Sequence, residues 1–554
     1  MFVGFGIFIR IWDLGYSNLQ GDEINTLDFA KIQNLNLIDY LFSQKKGPVQ
    51  FLINFVNISI FGYQNEFQVR FPYLIMGIAG IFTWYVLAKK VFDQKTALIT
   101  ALLISLNGLF ISFSRITQYQ SVMYFVMPIS IFAFIYALKT KKMVWYLLAG
   151  SLTGFLILTH YDGASILTFF VVSMFVLVRN SYLENKKISK AQIFGFLDMF
   201  AMVLLISAVF YLPFFFGNSY YEDSTKDYLS SRLLGGGFMP RTEISLKLIS
   251  MYIPKEWLIG LFMLSIFGVA FAHINKFKFR NYSKYLNYLF LLLCGLLIFS
   301  AWFSLYPIKP RSASGLFILS SIGITVLLAF FGQSSWRKIG LTAWYLLGFS
   351  FYFFIVRDPR THVYIAILPG LVFASYGIVA IYKQAISKFK WLKYVFIATF
   401  IGLFGFLAGY YWQIYINKSP EYPWWDKYYF GQTIYHISES NRIDGVFGFN
   451  YDRGWNEIGE MYEKGCLTGS FESNEKDNLT FFYLGIKQKE GDSWSNENGA
   501  DTMVVVEGPQ SWTYVKRREF SGYKLLDKIT KNGYDVAYIF GKNSVYHEGK
   551  LLCK

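Results

Sequence analysis

Residues 193–213 read IFGFLDMFAMVLLISAVFYLP, with Asp198 the one charged side chain, near one end. At 1.5 Å per residue such a run makes a helix about 30 Å long, the thickness of a bilayer's hydrocarbon core. It therefore reads as a membrane span. Working outward from it, similar runs are centred on 70–88, 96–113, 120–138, 144–159, 163–178, 256–273, 286–303, 313–331, 339–356, 362–382 and 394–412. The stretch from Met1 to Trp12 is apolar too, but about half the required length. It reads as the remainder of a helix whose upstream part is missing, since no basic n-region or small-residue cleavage site makes it a signal peptide. Counting it, the chain crosses the membrane about 13 times.

Composition agrees with that reading. The 554 residues are 54% hydrophobic, 20% aromatic and 16% charged, with a mean hydropathy of +0.34. Soluble domains carry nearer a quarter charged residues. The net charge of +16 does not signal nucleic acid, because Lys and Arg stand in short tufts between apolar runs. The three cysteines, Cys294, Cys466 and Cys553, show no metal-ligand spacing, and a Cys466–Cys553 bridge is possible if that region lies outside the cell.

Basic residues orient the spans. Alternate linkers hold Lys89, Lys90, Lys95; Lys139, Lys141, Lys142; Arg179, Lys186, Lys187, Lys190; Lys276, Lys278, Arg280, Lys284; Arg337, Lys338; and Lys383, Lys388, Lys390, Lys393, against only Asp93 and Glu184. These linkers read as cytoplasmic. The opposite loops mix signs: Asp22-Glu23, Arg115, His160 with Asp162, Glu222-Asp223, Lys309 with Arg311, and Arg357-Asp358 with Arg360 and His362. An odd number of crossings puts the tail on that same outer side.

The expected organisation is a transmembrane unit over 1–412 and a small extracytoplasmic α/β domain over 413–554. In the tail, Gly445–Phe449 and Met503–Val506 are short apolar stretches, whereas Trp455–Tyr462 and Tyr523–Ile529 look helical. The first outer loop, 13–68, is long, with helices expected at 34–43 and 48–62 lying near the interface rather than crossing. A second outer loop, 214–255, contains Gly235-Gly236-Gly237, a flexible stretch suited to a lid.

Several outer-face groups could carry chemistry. Asp22-Glu23 lies where a bilayer-bound substrate meets water, and a carboxylate there can act as general base. Lys46, Arg70, Arg115, Arg311 and Arg360 are cations on the side where cations are normally scarce. They suit a lipid phosphate whose charge grows as a bond breaks; the plainer reading is snorkelling at the interface. Gln118 and Gln120, in the turn Ser114-Arg115-Ile116-Thr117-Gln118-Tyr119-Gln120-Ser121, could hydrogen-bond a sugar or acceptor, and so could His160, Asp162 and His362. Each of these is also readable as a polar hairpin or a capped turn. No metal triad, Ser-His-Asp arrangement or P-loop is visible, so no metal or nucleotide cofactor is signalled.

In order and sidedness these features resemble the GT-C superfamily of membrane glycosyltransferases, most of all the branch of protein O-mannosyltransferases and lipid A aminoarabinose transferases. The likeness covers about residues 1–382. It rests on Arg10, Asp22-Glu23, Lys46-Gly47-Pro48 where relatives often have Pro-Pro, Phe61-Gly62, Arg70-Phe71-Pro72, Ser114-Arg115, and Pro359-Arg360-Thr361-His362-Val363-Tyr364 with Pro369 beyond. The resemblance implies a polytopic α-helical GT-C fold in a prokaryotic cell membrane. It also implies inverting transfer of a sugar from a polyprenyl-phosphate donor to an extracytoplasmic protein, lipid or envelope glycan. In that picture Asp22 is the base, Glu23 helps position the acceptor, and the cations hold the phosphate. The chain departs from many relatives in lacking a second acid at Gln118-Tyr119-Gln120.

A lipid-linked glycan flippase or transporter is the alternative. That class favours internal repeats and ionisable groups at mid-membrane, whereas here charges cluster at span ends. A sensor using the outer domain would need neither the acid pair nor the cations.

Overall fold

Asn65, Asp93 and Asn107 each start a helix by turning a side-chain oxygen onto backbone N–H groups that have no partner inside it. Asn65 accepts from Gln68 N at 3.0 Å, Asp93 from Thr96 N at 2.8 Å and Asn107 from Leu109 N at 3.2 Å. The helices begun in this way are Glu66–Val91, Gln94–Ser105 and Gly108–Phe113. The third corrects an expectation. Run 96–113, read as one span, is two helices parted at Leu106-Asn107, because an Asn side chain competes for nearby backbone and restarts the helix.

The structure is a computed structural model. It describes residues 1–24, 27, 41–42, 47–62, 65–184, 190–216, 249–277, 282–304, 311–356, 359–419, 428–429, 432–433, 448–486, 499–506, 522–546 and 551–553. The glycine-rich part of loop 214–255 and nearly all of segment 34–43 lie outside these residues.

Among the described residues, ten helices are long and apolar enough to cross a membrane: Glu66–Val91, Tyr119–Thr140, Tyr161–Leu183, Lys190–Phe216, Lys255–His273, Ser283–Phe303, Ala313–Phe331, Trp336–Ile355, Arg360–Lys388 and Leu392–Tyr415. Phe2–Ile11, Gln94–Ser105 and Met143–Thr159, counted above as spans, are shorter. Val49–Phe61 is the helix expected over 48–62. Lys190–Phe216 turns Leu204 (68% exposed), Leu205 (62%) and Val209 (71%) away from the protein. Such a continuous apolar exterior suits lipid rather than water. The chain is a multi-span helical membrane protein.

Small residues let the spans approach closely. A Cβ on Gly268 would lie 1.9 Å from Phe373 O, and one on Gly377 would lie 2.5 Å from Leu264 O. Helices Lys255–His273 and Tyr364–Lys388 thus cross backbone to backbone, as glycine-mediated membrane packing does. Gly47 explains the departure at Lys46-Gly47-Pro48. Its φ is +120°, and a Cβ there would meet Leu158 O at 2.0 Å, so a proline, locked near −65°, has no place.

Beyond Tyr415 lies a small sheet domain. Tyr428–Tyr429 (β1) pairs with Gln432–Thr433 (β2). Phe471–Ser473 (β3), Thr502–Val506 (β4), Tyr523–Lys531 (β5) and Tyr534–Lys542 (β6) form a sheet ordered β3-β4-β6-β5, parallel only between β3 and β4. Helices Trp455–Glu463 and Asp477–Leu484 accompany it. Tyr523–Ile529, read above as helical, is strand. The cause is the turn that follows: Asn532 and Gly533 have φ of +49° and +85°, the Asn-Gly conformation that folds a chain back into a hairpin. Leu19, Ile24, Leu27 and Val69 share one apolar core with Trp455, Ile458, Val504 and Ile539, so this domain is packed onto the first outer loop.

Cys466 and Cys553 are disulfide-bonded, 87 residues apart, while Cys294 is free and buried. Closing a loop of that length restricts the unfolded chain. Replacing both cysteines by Ser is expected to cost about 2–4 kcal/mol, read as a lowered thermal midpoint of the detergent-solubilised protein. Reductant should then lower the native protein's midpoint but leave the variant's unchanged.

Candidate active site

The backbone from Ile9 to Leu19 leads into the short helix Gly21–Ile24, and three buried arginines grip its carbonyls in succession. Arg115 donates to Ile9 O (2.5 Å), Trp12 O (2.6 Å) and Asp13 O (3.5 Å). Arg70 donates to Leu14 O (2.9 Å), Ser17 O (2.9 Å) and Asn18 O (3.2 Å). Arg453, from the sheet domain, donates to Leu19 O, and its backbone N–H donates to Asn18 Oδ1 at 2.7 Å. A guanidinium offers five donors in a rigid fork, which suits it to hold several carbonyls at once. The loop that presents Asp22 is therefore fastened along its length.

The acid next to Asp22 is built into the same clamp. Glu23 is 1% exposed and Arg70 2%. Arg70 Nε and Nη2 each reach a different Glu23 oxygen at 2.9 Å. Glu23 also accepts from Gln20 N at 3.0 Å and Thr117 N at 2.8 Å. Four donors fill the carboxylate's lone pairs, so in this arrangement Glu23 holds the loop rather than an acceptor. Arg70 and Arg115, expected at a phosphate, are likewise spent on protein partners. Arg115 also donates to Gly448 O (3.0 Å) and Asn450 Oδ1 (2.7 Å). Burial first, and the nearby Arg70 charge second, lower its pKa to about 10, which still leaves it protonated at neutral pH.

Through Thr117 the acid loop joins the turn before helix Tyr119–Thr140, which Gln50 also holds by donating to Thr117 O at 2.8 Å. Gln118 and Gln120 are buried there, and Gln120 Oε1 has no hydrogen-bond partner among the described residues. Tyr119 then stacks on His160, with ring centres 4.1 Å apart and planes within 5°. His160, Asp162 and His362 converge, all buried. Asp162 Oδ2 lies 2.7 Å from His362 Nδ1 and 3.2 Å from His160 Nδ1, and Tyr352 OH donates to Asp162 Oδ1 at 2.7 Å.

Sequence spacing showed no metal triad, yet this cluster has the donors of one. His362 stands 200 residues from Asp162, which no local motif reveals. Tyr352 and Arg453 were also missed. The available signals were a lone hydroxyl in the run Phe351-Tyr352-Phe353-Phe354 at a span's end, and a charge set among aromatics in Asn450-Tyr451-Asp452-Arg453-Gly454-Trp455.

Arg360 opens the short helix Arg360–Val363 that carries His362, half-buried, with a φ of +41°. A non-glycine residue there is strained, as at many functional sites. Asp22 and Arg311 are described in backbone only, and Lys46 lies outside the described residues. Next to Tyr352, residues Phe353 and Phe354 line an apolar groove enclosing about 90 Å³ with Leu258, Phe262, Trp302 and Leu371.

Residues 45–211, which carry Arg70, Arg115, His160 and Asp162, match the family model described as dolichyl-phosphate-mannose-protein mannosyltransferase. This supports a GT-C superfamily glycosyltransferase. The chain is also similar to "Putative mannosyltransferase YycA" of Bacillus subtilis (strain 168), 28% identical over 160 residues, or 29% of this chain. That match spans only 22% of the relative's length. Among solved structures it is similar to ArnT from Cupriavidus metallidurans bound to undecaprenyl phosphate. There the identity is 12%, the coverage 99% of this chain and 98% of that one, and the TM-score 0.43. The oligosaccharyltransferase AglB from Archaeoglobus fulgidus, in complex with an inhibitory peptide and a dolichol-phosphate, is 16% identical, with 90% and 60% covered and a TM-score of 0.41.

Proposed function

We propose that this glycosyltransferase moves a sugar from a polyprenyl-phosphate donor to an acceptor on the outer face of a prokaryotic cell membrane. The acceptor's hydroxyl or amine attacks the anomeric carbon, and the bond from that carbon to the phosphate oxygen breaks. Polyprenyl phosphate departs with the electron pair, the sugar is inverted, and Asp22 takes the acceptor's proton. Lys46, Arg311 and Arg360 hold the donor phosphate, because Arg70 and Arg115 are spent on the loop. Gln118, Gln120 and the residues around His160, Asp162 and His362 contact sugar or acceptor.

The observation that carries this reading is the fastening of the Asp22 loop by three buried guanidiniums. A base must sit within hydrogen-bond reach of the proton it removes, and small misplacements of reacting groups are costly in rate. A transporter has no such need for a fixed outer acid. The groove at Phe353 and Phe354 suits an isoprenoid chain entering from the outer leaflet, and the matched family's description names a dolichyl-phosphate sugar. The Cys466–Cys553 bond fits an oxidising, extracytoplasmic setting for the sheet domain.

The test is the fate of a labelled polyprenyl-phosphate mannose in proteoliposomes, supplied with envelope extract as acceptor. Label should move to an acceptor with stoichiometric release of polyprenyl phosphate. If the lipid-linked sugar instead crosses the bilayer with its sugar–phosphate bond intact, the flippase reading replaces this one.

A further inference from the structure

We propose that His160, Asp162 and His362 form a binding site for one divalent transition-metal ion, of which zinc is the best match. One ring nitrogen from each histidine and one Asp162 oxygen lie within 4.8 Å of one another. Two imidazoles and a carboxylate are a donor set that zinc and its first-row neighbours favour over magnesium or calcium.

The surroundings hold the donors in place. Tyr352 OH takes Asp162 Oδ1 at 2.7 Å and leaves Oδ2 facing both histidines. Such outer hydrogen bonds fix the orientation of a metal-binding carboxylate. His160 is clamped between Tyr119 at 4.1 Å and Tyr161 at 3.8 Å, centre to centre. Tyr352 lies parallel to His362 within 6°, with ring centres 6.5 Å apart. The rings are therefore set before any ion arrives.

The contacts of His160 constrain what its Nδ1 can do. Its Nδ1 is 3.1 Å from the Asp162 backbone N–H, which needs an acceptor, and 3.2 Å from Asp162 Oδ2, which needs a donor. A single ring nitrogen cannot serve both. Without an ion, His160 Nδ1 serves the backbone N–H and His362 Nδ1 serves the carboxylate; an ion held by Oδ2 and one nitrogen of each histidine would instead balance the carboxylate's charge directly. Three protein ligands leave one position of a tetrahedral zinc open, so a water or substrate oxygen can complete the shell beside Tyr119. The ion would also tie the turn at 160–162 to the start of helix Tyr364–Lys388.

The inference concerns metal binding and does not depend on sugar transfer. Full-length protein in detergent, stripped with chelator, is titrated with Co²⁺ and then with Zn²⁺. One equivalent of Co²⁺ should give visible d–d bands of nitrogen–oxygen coordination, and Zn²⁺ should abolish them. Asp162→Asn and His362→Gln should each weaken binding at least 10-fold, and Tyr352→Phe by about 10–100-fold, as outer-partner losses do. The wild-type titration needs no variant to fold. Absence of stoichiometric binding overturns the proposal. So does a sulfur-to-cobalt charge-transfer band, which would put the ion on Cys294, or unchanged affinity in monodisperse Asp162→Asn and His362→Gln proteins.

Discussion

Asp22→Asn is expected to lower sugar transfer by about 10²–10⁴-fold, the usual contribution of a positioned base. The amide keeps the size of the carboxylate but cannot accept the acceptor's proton. The backbone leading to it should stay in place, because its carbonyls are held by Arg115, Arg70 and Arg453. The loss should therefore fall on kcat, with the donor's KM nearly unchanged and the thermal midpoint within error of wild type. Initial rates with labelled donor in proteoliposomes measure the first two, and a melting curve measures the third. Full turnover in Asp22→Asn would remove Asp22 from the chemistry and turn the search for a base toward the cluster at Asp162.

The long apolar helices were legible because hydrophobic length is a local property, as in 193–213 or 362–382. What blurred the count was also local. Asn107 splits one run, and Met143–Thr159 ends where His160 turns the chain. The strand at Tyr523–Lys531 was misread because its apolar residues mimic a helical period, although Asn532-Gly533 announced the hairpin. At the site, residue types and sidedness could be read, but partnerships could not. Nothing near Arg70 in sequence says that it will face Glu23, 47 positions earlier, instead of a phosphate. His362 meets Asp162 because the short turns Tyr161–Ile166 and Arg360–Val363, each at the start of a long helix, come together in the fold. Buried cations satisfied by carbonyls leave no pattern in a sequence, since every residue carries a carbonyl.

Removing one partner of the Glu23–Arg70 pair is the second large effect. Both side chains are almost wholly buried, and the ion pair is bidentate at 2.9 Å. Glu23→Ala would leave a guanidinium buried without its counter-charge, and Arg70→Ala would leave a carboxylate in that condition. Either is expected to cost about 3–5 kcal/mol, the usual penalty for breaking a buried pair. Arg70→Ala also frees Leu14 O, Ser17 O and Asn18 O, so it should be the worse of the two and should release the Asp22 loop. Glu23→Leu combined with Arg70→Met removes both charges at once, and it should recover part of the stability because no lone charge remains. It should not recover activity, since the three carbonyls stay unheld. Thermal unfolding in detergent reads the stability cycle, and transfer assays on the same preparations read the loop. A double variant as active as wild type would mean that the clamp serves folding alone. A double variant that is stable and inactive is the outcome expected if Arg70 works by holding the loop that carries Asp22.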